Sequence, residues 1–409
     1  MWLMRKLHPD FKTIADFRKE NRKQLKQVFK QFNLFCKECD LFGGELVGID
    51  GTKFRADNSK RNNYNQKKID RQLKYIQEKT DAYFQTLDEN DEEAEMPSKY
   101  TVKQMQEKIE KLKQRKDFYE KLQKELKSGK DNEISTTDCD ARLMDNKKNG
   151  LEVGYNVQIA VDAKNKLIVA NEVTNNPADQ GHLNNMAQAA KETFGMDEKE
   201  GLEVVADKGY YQGEDLKKSA ENGTVPYVTH QVYSNATGHR EYYSDKFKYD
   251  CVEDVYVCPE GKVLYRTKHR AKKPERIQYK NFEACKSCPN KDKCTKSSKG
   301  RIISRSKHQE FLDTIDARTA ENMDKYLKRQ TIVEHPFGTV KRSMDAGYFL
   351  TRGLESVAGE ADLVFLAYNM KRAINILGVK AIMEKIKAKA SLIFSIFRNQ
   401  FVFCTEIIL

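Results

Sequence analysis

The 409-residue chain predicts a mixed α/β fold. Short apolar runs of strand character alternate with helical patterns. Two of those runs end in an aspartate with a glycine close by. Two long polar stretches of different composition interrupt the series, as insertions between strands would.

Residues 1–40 are polar and read as helical, with Phe11, Ile14, Phe17, Leu25, Phe29 and Phe32 near helical spacing. ELVGIDGTKFRA (45–56) then reads as a buried strand from Leu46 to Ile49, delivering Asp50 at its tip beside Gly51. Residues 60–130 have no glycine until Gly129 and are rich in Lys, Glu and Gln. They predict two helices, about 66–89 and 99–127, around the acidic turn 88–98, with Pro97 as breaker and Ser98 as N-cap. Such a hairpin is either a solvated charged arm or a DNA-contacting or dimerising one.

GYNVQIAVDA (154–163) alternates and KLIVANEVTN (166–175) follows after a turn, which predicts an antiparallel hairpin. Residues 179–195 predict a helix stopped by Gly195. LEVVADKGY (202–210) is a strand ending in Asp207, residues 213–223 a short helix and VPYVTH (225–230) a strand. Residues 315–345 and 354–377 read as two helices. The first carries Glu334 and the second an apolar face of Leu363, Leu366, Met370 and Ile374.

Net charge is +12 with a pI of about 9.0. A basic chain suits a polyphosphate partner, although solubility or an acidic membrane surface would suit it too. The excess is local: residues 259–310 hold 16 Lys and Arg against 5 Asp and Glu. No export signal is evident, and the apolar C-terminal stretch is broken by Arg398, Asn399, Gln400 and Glu406, so no membrane span is expected. Nine cysteines without an export signal read as thiols or metal ligands of a cytoplasmic protein.

Asp50, Asp207 and Glu334 are the candidate catalytic set. Two short carboxylates at rigid strand positions and a longer one reaching from a helix suit hard divalent cations, Mg²⁺ or Mn²⁺. Two such ions about 3.5–4 Å apart support in-line phosphoryl transfer. Taken singly, each residue could be a turn former or helix cap; their joint occurrence in this order carries the reading. Cys258, Cys285, Cys288 and Cys294 could supply a tetrahedral Zn²⁺ site, or be free thiols. Cys36 and Cys39 lack a partner pair, and Cys139 and Cys404 read as ordinary thiols. Arg270, Lys272 and Lys273 lie in the basic stretch expected to contact phosphates without sequence preference. Asp138 and Asp140, His182 and His335 are candidates for a supporting role or for plain structural bonding.

IDGTKF, GYNVQIAVDA, VTNNPADQGHL, VADKGY and RQTIVEHPFGTVKR resemble the blocks of bacterial insertion-sequence DDE transposases with an RNase H-like catalytic core. The subgroup resembled has a helical insert after the first Asp and a cysteine-bearing insert before the Glu. The resemblance spans roughly residues 1–378. It implies an α/β fold with an RNase H-like mixed sheet flanked by helices. It implies domains at 1–44 (helical N-terminal remnant), 45–60 with 145–230 and 315–378 (core), 61–144 (helical hairpin and linker), 231–314 (basic Cys-containing insertion) and 379–409 (tail). It implies that Asp50, Asp207 and Glu334 bind two metal ions, that DNA ends are cleaved and that strands are transferred. The partners implied are double-stranded DNA, as terminal inverted repeats and target, and a second copy of the chain, in the nucleoid. Tyr326, Arg329, Glu334 and Lys341 resemble the family's Tyr, Arg, Glu and Lys pattern, with Arg329 one residue too far from the Glu. Lys341 and Arg329 are thus candidate phosphate contacts, and Lys341 is equally an ordinary helical lysine. The chain begins inside the family's N-terminal helical region, as an N-terminally shortened copy would. The alternatives are an RNase H-like nuclease without strand transfer and a DNA-binding remnant.

Overall fold

The computed structural model describes residues 10–92, 101–129, 131–146, 150–197, 199–232, 234–267 and 276–388. Two helices, α1 (Phe11–Glu20) and α2 (Arg22–Glu38), lead into β1 (Leu46–Arg55). Strand β2 (Asn63–Asn65), helices α3 (Gln66–Glu92) and α4 (Val102–Ser128) and strand β3 (Glu133–Ser135) form an excursion. The chain then returns through β4 (Arg142–Asn146), β5 (Gly150–Asp162), β6 (Ile168–Thr174), α5 (Leu183–Phe194), β7 (Leu202–Ala206), α6 (Gly213–Glu221) and β8 (Thr224–Tyr227).

These strands make a six-stranded mixed sheet in the order β4-β5-β1-β7-β8, with β6 also paired to β5. Strand β5 is long enough to hold β4 along its first residues and β6 along its last, with β1 on its other side. β1 is therefore central, antiparallel to β5 and parallel to β7. Val47 and Ile49 point into a core shared with Phe35, Leu183, Met186 and Leu216. The opposite face, through Phe54, Val157 and Val205, packs on Ile332, Val333 and Phe365. Helices thus cover both faces, and the hydrophobic effect fixes the register: a one-residue slip of β1 would exchange its faces.

The helical hairpin falls where the sequence predicts it. Helix α4 begins later, at a capping box of Thr101 and Gln104, while the expected Pro97 and Ser98 signals lie outside the described residues. Each helix has 27 residues, about 40 Å at 1.5 Å per residue. Tyr64, Ile69, Leu122 and Leu126 close the base of the hairpin over the β2–β3 ribbon.

After β8 comes a second, five-stranded antiparallel sheet in the order β13-β12-β11-β10-β9. It comprises β9 (Lys248–Asp250), β10 (Val255–Val257), β11 (Val263–Arg266), β12 (Arg276–Lys280) and β13 (Ile302–Ser306). Short helices α7 (Phe282–Lys286) and α8 (Lys291–Cys294) lie between β12 and β13; α9 (Gln309–Glu321), α10 (Met323–Gly338) and α11 (Leu354–Leu377) follow, and residues 379–388 are again helical.

Four expectations need correction. The helix expected over 315–345 is two, because Asn322 leaves helical geometry and its side chain bonds back to the Arg318 carbonyl at 3.0 Å. Helix α11 buries Val357, Ala361, Phe365 and Tyr368, whereas Met370 and Ile374 from the expected apolar face are exposed. Phe11, Ile14 and Phe17 are exposed, and α1 buries nothing. Strand β1 does not stop at Asp50 but continues to Arg55, because β5 offers partners as far as Gly154. Among the described residues, no helix is long and apolar enough to cross a membrane.

Candidate active site

Asp50 lies in the middle of β1, and Asp207 immediately follows β7. The parallel register pairs Ile49 with Ala206, so the two aspartates occupy the next step on neighbouring strands. Each carboxylate accepts the backbone N–H that follows it, Asp50 from Gly51 at 2.9 Å and Asp207 from Lys208 at 2.8 Å. These bonds aim the side chains while the strands hold the backbone.

A cation from α10 sits between them. The Arg329 guanidinium is 3.7 Å from Asp50 Oδ2 and 3.9 Å from Asp207 Oδ1. Burial pushes the Asp50 carboxyl up to about 6; Arg329 and the Gly51 N–H oppose this, and the negative charges of Asp207 and Asp179 reinforce it. The pair thus offers oxygen donors around a positive charge that the chain itself supplies. That donor set is also the one hard divalent cations prefer.

Helix α10 reaches this position because Gly48 lets it approach. A Cβ on Gly48 would lie 2.8 Å from methyl groups of both Ile332 and Val333. Glu334, next in sequence, is exposed, and its Oε1 accepts a 2.9 Å bond from Gln330, one turn back. Asp50 and Asp207 are therefore brought together, while Glu334 stands on the helix packed over them and bonds elsewhere. Among the described residues, no group of three or more His, Cys, Asp or Glu is gathered closely enough to hold a metal ion.

A fourth carboxylate, Asp179, completes the neighbourhood. Its Oδ1 accepts from Asn156 at 2.8 Å, Gln158 at 3.0 Å and Lys53 at 3.2 Å. The buried Tyr210 donates its hydroxyl to Gln158 Oε1. Burial, then the charges of Asp50, Asp179 and Asp207, hold that phenol well above its usual range, so it stays a donor. Asn156 and Gln158 look in sequence like solvent-facing members of an alternating strand. They are fully buried, because both faces of β5 are covered, and serve Asp179 instead. The available signal was two amides in a strand otherwise made of core residues.

The remaining candidates separate clearly. Lys341, on the π-helical turn Thr339–Ser343, bonds Thr52 Oγ1 and the Lys53 carbonyl, both at 2.8 Å, and rests over the Phe54 ring at 4.6 Å. It clamps α10 to β1. Tyr326 shares a 2.9 Å hydroxyl bond with Thr229. His335 bonds Tyr368, and His182 contacts Glu172. Asp138 and Asp140 accept the N–H groups of Gly353 and Leu354, capping the start of α11. Arg270, Lys272, Lys273 and Cys404 lie outside the described residues. Cys36 is buried, which pushes its thiol up to about 12, whereas Cys139 is exposed. Cys258, Cys285, Cys288 and Cys294 line one small cavity of about 30 Å³.

Residues 257–374 match the family model described as a transposase DDE domain. The match is shorter than half the chain. It takes in the four cavity-lining cysteines and all of α10, with Arg329 and Glu334, while Asp50 and Asp207 lie before it. It supports a DDE transposase. No curated protein matches the chain.

The raised Asp50 carboxyl has a measurable consequence in metal-free protein. Below about pH 3 it is protonated in both folded and unfolded chains. As pH rises from its ordinary value of 3.8 to about 6, the unfolded chain ionises first, so stability is lost through that window and stays lost above it. In the presence of chelator, Asp50→Asn is therefore expected to stabilise the fold at pH 8 by on the order of 1–3 kcal/mol, and to give little gain near pH 3. Urea unfolding at the two pH values checks this. An equal gain at both would show that ionisation is not its source.

Proposed function

We propose that the chain is a DNA transposase that hydrolyses phosphodiester bonds at insertion-sequence ends and transfers the freed strands to target DNA. Asp50, Asp207 and Glu334 are the proposed metal-binding set. The observation carrying the reading is the placement of Asp50 and Asp207 on adjacent strands, under a helix that bears Glu334 and puts a cation between them. The central β1 with β5 antiparallel and β7 parallel suits an RNase H-like core made of residues 45–60, 145–230 and 315–378. The hairpin of 61–144 and the basic segment of 231–314 are then insertions in it, flanked by 1–44 and 379–409.

Magnesium or manganese bound by these carboxylates supplies activation of the attacking water or 3′-hydroxyl and stabilisation of the departing oxygen. The protein's part is positional. Strands β1 and β7 fix two carboxylates, and Lys341 and Gly48 hold α10 against β1. Glu334 would have to leave Gln330 to join them. Arg329, if a metal took its place between the aspartates, would be available to a phosphate. Lys53, paired with Asp179, adds positive charge beside it. A homodimer on DNA in the nucleoid is the assembly this activity implies.

The test is incubation with Mg²⁺ and a labelled duplex carrying the element's terminal repeats. Joined products support transposition. Nicks without joining would favour an RNase H-like nuclease, and retention without cleavage a DNA-binding remnant. DNA affinity is expected to fall steeply with salt, because phosphate neutralisation releases counterions. A flat response in filter binding between low and physiological salt would remove the basic segment as the contact surface.

A further inference from the structure

We propose that Cys258, Cys285, Cys288 and Cys294 bind one structural zinc ion that holds the five-stranded sheet together. Three separate segments bring these thiols to a single cavity. Cys258 opens the turn after β10, Cys285 lies in α7 with Cys288 just beyond it, and Cys294 ends α8. All four are free of disulfides. The cavity volume of about 30 Å³ has room for an ion and none for an organic ligand.

Burial pushes the Cys294 thiol up to about 11, against the pull of Arg301, so the thiolates a metal needs would form on binding rather than before it. The backbone N–H of Lys262 donates to Cys258 Sγ at 3.3 Å, in a turn closed by Gly261 N–H to the Cys258 carbonyl at 2.8 Å. Arg301, Lys262 and Lys291 line the same cavity and offset the negative charge of a four-sulfur site. Gly300 brings the backbone against Cys285. Its φ of +132° suits glycine, and a Cβ there would lie 2.6 Å from the Cys285 Cβ.

The sheet also needs such a staple. Its buried apolar core is Phe247, Leu264, Tyr279 and Ile303, with Tyr249, Tyr256, Ile277, Cys258 and Cys294 packed partly buried against it. That is a small core for ordering strands, two short helices and their connections, a scale at which small units often depend on metals or disulfides. Four sulfur donors, once drawn into a tetrahedron, would suit zinc or iron, and zinc is the ion proposed. The thiols stand around the cavity without being drawn to ligation distance, so binding would turn them inward. The inference rests on this sheet alone and stands or falls apart from the roles of Asp50, Asp207 and Glu334.

The experiment is elemental analysis of the full chain purified under reducing, chelator-free conditions, with zinc release by a thiol-reactive mercurial followed by a chromogenic chelator. The expected result is about one zinc per chain. It should be lost in Cys285→Ser and Cys294→Ser and retained in Cys139→Ser and Cys251→Ser, whose thiols are exposed elsewhere. Since the first two variants could fail by unfolding, cobalt(II) is also exchanged into the unaltered protein. Thiolate-to-cobalt charge-transfer absorption with tetrahedral visible bands is expected. Zinc content no higher than in Cys285→Ser, iron in its place, a Cys285–Cys288 disulfide in the native protein, or the pale spectrum of octahedral cobalt would each overturn the proposal.

Discussion

Replacing Asp50 or Asp207 by Asn, or Glu334 by Gln, is expected to lower DNA cleavage by about three orders of magnitude or more, with DNA retention little changed. Each substitution keeps the shape and removes one anionic oxygen donor, so the loss falls on divalent-ion binding and on the stabilisation of charge during displacement. Three orders of magnitude correspond to about 4 kcal/mol of transition-state stabilisation. On the proposed reading, retention survives because phosphate contacts would come from Lys and Arg elsewhere. The three variants should also differ in the metal-free state. Asp50→Asn relieves a buried charge, whereas Glu334, exposed and bonded to Gln330, gives no comparable gain. Single-turnover cleavage beside filter binding reads both quantities. Cleavage within a few-fold of the unaltered protein in any variant would remove that residue from the catalytic set.

Gly51→Ala is expected to damage both fold and activity. A Cβ at this position would lie 2.2 Å from Gln158 Nε2 and 2.6 Å from Asp179 Oδ1. Gln158 has nowhere to go, since it is fully buried and bonded to both Asp179 and Tyr210. Either β1 and β5 separate locally or the amide leaves Asp179, and overpacking of this kind costs about 1–3 kcal/mol, more if a buried hydrogen bond is also lost. The strand cannot yield without moving Asp50, whose carboxylate is aimed by the Gly51 N–H. The thermal midpoint should fall by roughly 1–4 °C, and cleavage should fall further than the folded fraction explains. A variant with unchanged midpoint and unchanged cleavage would show that the close approach does not constrain the site.

The parts of this molecule legible from sequence are those set by local pattern. The run Leu46–Ile49, the hairpin Gly154–Asn175, the stop at Gly195 and the polar helices of 66–128 each follow from periodicity and breakers within a few residues. Asp50 and Asp207 were legible because each adjoins an apolar strand with glycine nearby. What sequence did not disclose depends on contacts between distant segments. Asp179 looked like a helix start, yet its donors come from Lys53, Asn156 and Gln158 on two other strands. Lys341 and Arg329 were candidate phosphate contacts, Lys341 equally an ordinary helical lysine; the structure adds that one holds β1 and the other lies between two aspartates. Neither role leaves a trace in spacing, because the partners lie within β1 or just beyond β7, far along the chain. The apolar face of α11 was half right: Leu366 is buried and Leu363 half-buried, but Met370 and Ile374 are exposed. Tyr368 and Asn369 are buried with hydrogen bonds to Lys166 and Ile168, which hydrophobicity alone does not register.

The central position of β1 has a consequence for how the polypeptide is made. Both its neighbours, β5 and β7, lie beyond the α3–α4 hairpin, and Glu334 lies further still. At ordinary elongation rates of 5–20 residues per second, the strand bearing Asp50 waits on the order of ten seconds or more after leaving the ribosome before a partner emerges. During that interval its unpaired, valine- and isoleucine-bearing edge is open to wrong pairings, while the hairpin, whose contacts are local, can already form. Slowed translation between residues 56 and 150 should therefore lower the soluble yield, and chaperone supply should restore it.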